Sequence, residues 1–84
     1  MKKITILINC KDQPGIIAAT TNFILEQNGN ITYVDQHVDH EQEVFFMRLE
    51  CTFEKTNPSK NDLKQLFDAS VAQQFQMNWN LFDV

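Results

Sequence analysis

The sequence predicts an α+β domain in which a four-stranded antiparallel sheet carries two helices on one face, in the order βαββαβ. Three observations predict it. The chain has 84 residues, which suits one domain spanning 1–84 and not two. Apolar residues alternate at period two in four stretches and recur at helical spacing in two others, one between the first two strands and one between the last two. In the longest strand pattern, Phe45, Met47, Leu49, Cys51 and Phe53 form a continuous apolar face, whereas Val44, Phe46, Arg48, Glu50 and Thr52 form a mixed one. A sheet with one buried and one half-polar face is covered by helices on one side only.

Each element follows from local chemistry. Ile4 to Asn9 is rich in β-branched residues and reads as the first strand. The basic-then-apolar start has the look of a secretory leader. Asn9, Lys11 and Asp12 end the apolar run early, however, and no small-residue cleavage site follows, so the reading is a strand of a cytoplasmic protein. Cys10 to Gly15 is a turn, with Pro14 holding Gln13 extended. Ile16 to Asn28 reads as a helix, with Ile16, Ala19, Phe23 and Gln27 on one stripe and Ile17, Thr20 and Ile24 on the next. Asn28-Gly29 stops it, with Gly29 expected in the left-handed position past the end. Asn30 to Asp39 is the second strand, with Thr32, Val34, Gln36 and Val38 expected on one face and Ile31, Tyr33, Asp35 and His37 on the other. Asp39 to Gln42 is a hairpin turn, Glu43 to Phe53 the third strand and Glu54 to Pro58 a loop. Ser59 caps a second helix, with Asp62 three residues on and Leu63, Leu66, Phe67, Ser70, Val71 and Phe75 as its expected apolar stripe. Met77 to Val84 alternates again and makes the fourth strand.

The most economical winding of this order is a ferredoxin-like sandwich. It is expected to have strands one and three central and parallel to each other, and both helices on the Phe45–Phe53 face. The other face, or a sheet edge, is open to a partner subunit.

Composition argues against several functions. Seven Lys and Arg against eleven Asp and Glu give a net charge of −4, the wrong sign for nucleic acid or an anionic membrane surface. An RNA-binding sheet would also need aromatics on strand one, which has none. No apolar run approaches the roughly 18 residues of a spanning helix. No catalytic motif is present, and no cofactor is implied. His37, Asp39, His40 and Glu41 are close in sequence but lack the spacing of a metal site and read as a solvated turn. Cys10 and Cys51 read as two reduced thiols; as late residues of parallel neighbours they would approach each other, yet no CxxC accompanies them.

The strongest small-molecule candidate is Asp12-Gln13-Pro14-Gly15, which leads into the first helix. Unpaired N–H groups at a helix start attract a carboxylate, Gly15 lets a ligand approach the backbone, and Asp12 can hold an ammonium group. Asn30, at the start of strand two, is expected at the same end of the sheet. Such a set suits an α-amino acid. The plain alternative is a turn in which Pro14 and Gly15 only set geometry.

Asp12-Gln13-Pro14-Gly15-Ile16, then Ala18-Ala19, Phe23-Ile24 and Gly29-Asn30-Ile31, resembles an ACT domain, a regulatory βαββαβ module that usually binds amino acids at subunit interfaces. Asp35-Gln36-His37, the run Phe45-Phe46-Met47-Arg48-Leu49-Glu50 and the ending Phe75 to Leu81 are similar to the N-terminal domain of formyltetrahydrofolate deformylases. That family hydrolyses 10-formyltetrahydrofolate to tetrahydrofolate and formate, which links one-carbon and purine metabolism. Its catalytic residues belong to a separate C-terminal domain, so the resemblance implies no catalytic residue here. It implies ligand contacts at Cys10, Asp12, Gln13, Pro14, Gly15, Ile16 and Asn30, a homodimer, and glycine or methionine as effector. The rival expectations are a dimerisation module without ligand and a free-standing ACT protein acting on a partner.

Overall fold

The chain runs β1 (Lys2–Lys11), α1 (Ile16–Glu26), β2 (Asn30–Asp39), β3 (Val44–Phe53), α2 (Lys60–Phe67), a π-helical turn (Asp68–Ala72), α3 (Gln73–Phe75) and β4 (Asn78–Asp83). The computed structural model describes residues 2–54 and 59–83, so the loop expected over Glu54 to Pro58 and the end of the fourth strand at Val84 lie largely outside it. The sheet order is β2-β3-β1-β4, and every pairing is antiparallel. The ferredoxin-like order and the central placing of β1 and β3 hold. Their expected parallel direction does not. The α1 crossover returns the chain so that β2 runs with β1, and the hairpin at residues 40–43 then reverses it for β3.

Register settles which side chains face the helices. Ile4, Ile6, Ile8 and Cys10 of β1 sit opposite Cys51, Leu49, Met47 and Phe45 of β3, and all eight are buried. Phe67 is fully buried above them, edge-on to Phe23 at 5.4 Å and to Trp79 at 5.0 Å. A side chain of that size contributes about 1.5–3 kcal/mol when taken from water. Among the described residues, no helix is long and apolar enough to cross a membrane.

β1 runs on through Cys10 and Lys11, which the sequence reading gave to the turn, because both pair with β3. Three further local details differ from the sequence reading. Asn28, not Gly29, is the left-handed residue after α1, with φ 63°. The Gly29 N–H donates to the Ile24 carbonyl and the Asn28 N–H to that of Leu25, which closes the helix end. In β2 a bulge at Thr32 shifts the register between Ile31 and Tyr33. Ile31, opposite Cys51, therefore shares the helix side with Val34, Gln36 and Val38, while Tyr33, Asp35 and His37 stay on the open face. The third difference is in the second helical stretch. Ser59 caps α2 as expected, accepting from the Asp62 N–H at 3.1 Å. But the buried seam is Leu63, Phe67, Val71, Ala72 and Phe75, and both Leu66 and Ser70 are exposed. A four-residue spacing drifts around a 3.6-residue helix; the wider π turn rotates the seam back onto the sheet.

Candidate ligand-binding site

β1 ends at Lys11, opposite Val44, and the chain then leaves the sheet. The Asp12 N–H donates to the Glu43 carbonyl at 2.8 Å, which ties the loop to the β2–β3 hairpin. Gln13 Nε2 donates to the Lys11 carbonyl at 2.9 Å and to the Phe75 carbonyl at 3.2 Å. Gln13 thus fastens the loop to the end of α3. Gly15 caps α1 with φ 93°, a conformation that favours glycine, directly over the Phe75 ring. It offers no side-chain cap, and the first turn holds no acidic residue. The N–H groups of the first turn of α1 therefore have no side-chain acceptor among the described residues.

The start of α1 borders a depression of ≈ 290 Å³. Asp12, Gln13, Gly15 and Ile16 line it together with Ile17 and Ala18, and the sheet contributes Gln36, Val38 and Phe45. Ile16 is buried as a whole residue, so it gives the depression little surface. A carboxylate side chain, a helix start and an apolar wall meet here, and the volume suits a small ligand. Pro14 is exposed and does not line the depression. Cys10 is buried on the core side, outside it.

Asn30 is not at this end. It pairs with Thr52, beside the start of β1, whereas the Asp12 loop sits past the opposite end of the sheet. The ten residues of β2 separate the two by roughly 30 Å. The antiparallel run of β3 is the reason. The same reversal places Gln36 and Val38 at the site, which sequence reasoning missed; they flank the hairpin that meets the end of β1.

The cysteines are separated likewise. Cys10 lies opposite Phe45 and Cys51 opposite Ile4, about 20 Å apart along β1, so the expected approach of the two thiols does not occur. Both are free and buried. Burial pushes the Cys51 thiol up to about 11. It raises Cys10 also, with the Gln13 hydrogen bond opposing and the Asp12 charge adding. At the hairpin, Asp39 Oδ1 accepts the N–H groups of Glu41 and Gln42, so its carboxylate closes the turn. Among the described residues, no three His, Cys, Asp or Glu groups stand together as a metal site would require.

Known proteins match this chain over most of its length. It is 39% identical over 77 residues to a formyltetrahydrofolate deformylase of Bacillus subtilis, covering 90% of this chain and 25% of that protein. A Synechocystis formyltetrahydrofolate deformylase is 35% identical, with 92% and 27% covered. The chain thus spans about a quarter of the length of these relatives. A solved formyltetrahydrofolate deformylase from Pseudomonas syringae superposes with a TM-score of 0.90 at 31% identity, over 99% of this chain and 28% of that one. An ACT domain protein from Streptococcus pneumoniae superposes at 0.85 with 26% identity, over 98% of this chain and 89% of its own. With the family pattern matched over residues 4–68 and the βαββαβ sheet in place, this chain belongs to the ACT domain family.

Proposed function

We propose that this chain is the regulatory ACT domain of a formyltetrahydrofolate deformylase, binding an α-amino acid at the Asp12–Gly15 loop and working as a homodimer. The observation that carries the reading is the ≈ 290 Å³ depression at the bare start of α1, with Asp12 on its wall. The ligand carboxylate meets the open N–H groups, and its ammonium meets Asp12. Glycine or methionine is the effector, and the apolar wall of Ile17 and Val38 suits the longer side chain.

Asn30 joins the site from a second copy. β2 is an edge strand. Two β2 edges paired antiparallel about a two-fold axis bring the partner's Asn30 to the Asp39 end of β2, beside the Asp12 loop. An effector bound across that seam favours one dimer arrangement and so biases an attached catalytic domain; without such differential affinity it would shift nothing.

Titration calorimetry with glycine and methionine, taken to about millimolar, tests this. Saturable heat that is lost in Asp12→Ala, with the dimer intact, supports the sensor. A folded dimer that gives no heat sinks it and leaves the second reading, a dimerisation module without ligand, which the open β2 edge favours. The match to most of the Streptococcus pneumoniae ACT domain protein favours a third, a free-standing protein acting on a partner.

A further inference from the structure

The open face of the sheet carries a second depression, of ≈ 310 Å³, on the side of the sheet away from the helices. Two adjacent rows of side chains line it. Leu7, Arg48 and Asp35 form one row across β1, β3 and β2, and Asn9, Phe46 and His37 form the next. Its floor is apolar and open to solvent: Phe46 is 42% exposed and Leu7 37%. The Phe46 and His37 rings stack at 6.2 Å with 27° between their planes, and the exposed part of Phe46 is the aromatic surface of the floor.

The polar groups around this floor are oriented, and their internal bonds show what each has left to give. Arg48 turns away from its cross-strand neighbour Asp35 and binds Glu50 Oε2 through Nε and Nη2, both at 3.2 Å. Among the described residues the Asp35 carboxylate makes no ion pair or hydrogen bond, so it remains an acceptor. Asn9 spends its oxygen on Asn78 Nδ2 at 3.2 Å, which leaves its own amide N–H groups as donors. The face thus presents an acceptor at one corner, donors at the centre and the opposite corner, and a stacking surface between. The corners are about 12 Å apart at the backbone, a span that side chains close around one ring system.

We propose that this face binds a single neutral planar heterocycle that bears an amine beside a lactam carbonyl, the edge that guanine presents. The ring lies on Phe46 and Leu7, its N–H and amine pair with Asp35, and its carbonyl and ring nitrogen take Arg48 or Asn9. A guanidinium cation fits this floor less well, because Arg48 stands beside Asp35. A net charge of −4 repels phosphates and disfavours a nucleic-acid strand here. This site is independent of the amino-acid site.

Amide NMR titration of the 84-residue chain with guanosine, and with inosine as the analogue lacking the 2-amine, tests the assignment. Saturable shifts at Leu7, Asp35, His37 and Phe46 are expected, with inosine at least about tenfold weaker. Asp35→Asn is expected to remove the preference for guanosine, and Phe46→Ala, at an exposed position, to remove binding of both. No saturable shift, equal binding of the two nucleosides, or shifts centred on Asp12–Gly15 would each overturn the proposal.

Discussion

Replacing Gly29 by alanine separates two explanations for a glycine after a helix. The left-handed position is filled by Asn28, so Gly29 is not held by its φ. Space holds it. A Cβ at this position would fall 2.6 Å from Phe53 Cε1, 2.9 Å from Phe53 Cζ and 2.8 Å from Ile24 Cγ2. Neither neighbour can swing into solvent, because Phe53 and Ile24 are both buried in the core. Overpacking of this kind costs about 1–3 kcal/mol. The lower chain freedom of alanine in the unfolded state returns about 0.4–1 kcal/mol. The net loss is therefore about 1–2 kcal/mol, and in a domain of this size each kcal/mol moves Tm by about 4–8 °C. Thermal melts followed by circular dichroism should show Gly29→Ala unfolding about 4–16 °C early. Phe53→Leu, which removes the ring edge, should recover part of that loss in the double variant. A Tm at or above that of the parent chain would refute the reasoning and return Gly29 to a purely conformational role.

Other substitutions test other parts of the fold. Phe67→Ala removes a fully buried ring packed edge-on to Phe23 and Trp79 and should cost about 3–5 kcal/mol, read by urea denaturation with the single tryptophan as reporter. Gly15→Ala meets no clash, since a Cβ would sit 3.8 Å from the Phe75 ring, but the φ of 93° should still cost about 1–2 kcal/mol by the same assay. Burial raises the Cys51 thiol from 9.0 to about 11, so the folded state favours the protonated form. That stability is fully present below pH 9.0 and drains as pH climbs through about 11, a fall that Cys51→Ala should flatten in denaturation midpoints measured across that range.

The strands were the legible part of the fold, and the reasons are local. β2 has the bounds that its alternation implies, and Phe45 through Phe53 face the helices as their period requires. The bulge at Thr32 was not legible, because no glycine marks it and only pairing with β3 reveals the extra residue. Leu66 and Ser70 were misplaced because a 3.6-residue period was imposed on a seam that repeats every four; the positions of Leu63, Phe67, Val71 and Phe75 already held the clue. At the candidate site, the loop was visible because Pro14 and Gly15 punctuate the sequence. Gln36 and Val38 carry no such mark. They reach the depression only through the direction of β3, which depends on the hairpin and not on any residue of β2.

That direction also makes the proposed shared site separable from one built within a single chain. Asp12 and Asn30 lie roughly 30 Å apart in one protomer, at opposite ends of the sheet. If each site takes its loop from one protomer and Asn30 from the other, Asp12→Ala and Asn30→Ala homodimers should both lose the effector. A heterodimer of the two variants would behave differently. One of its sites combines both defects, and the other combines an intact loop with an intact Asn30. Mixing two inactive proteins under exchange should then restore one binding site per mixed dimer, read as stoichiometry by calorimetry. Binding retained in the Asn30→Ala homodimer would instead remove Asn30 from the site and leave the Asp12 loop to act alone.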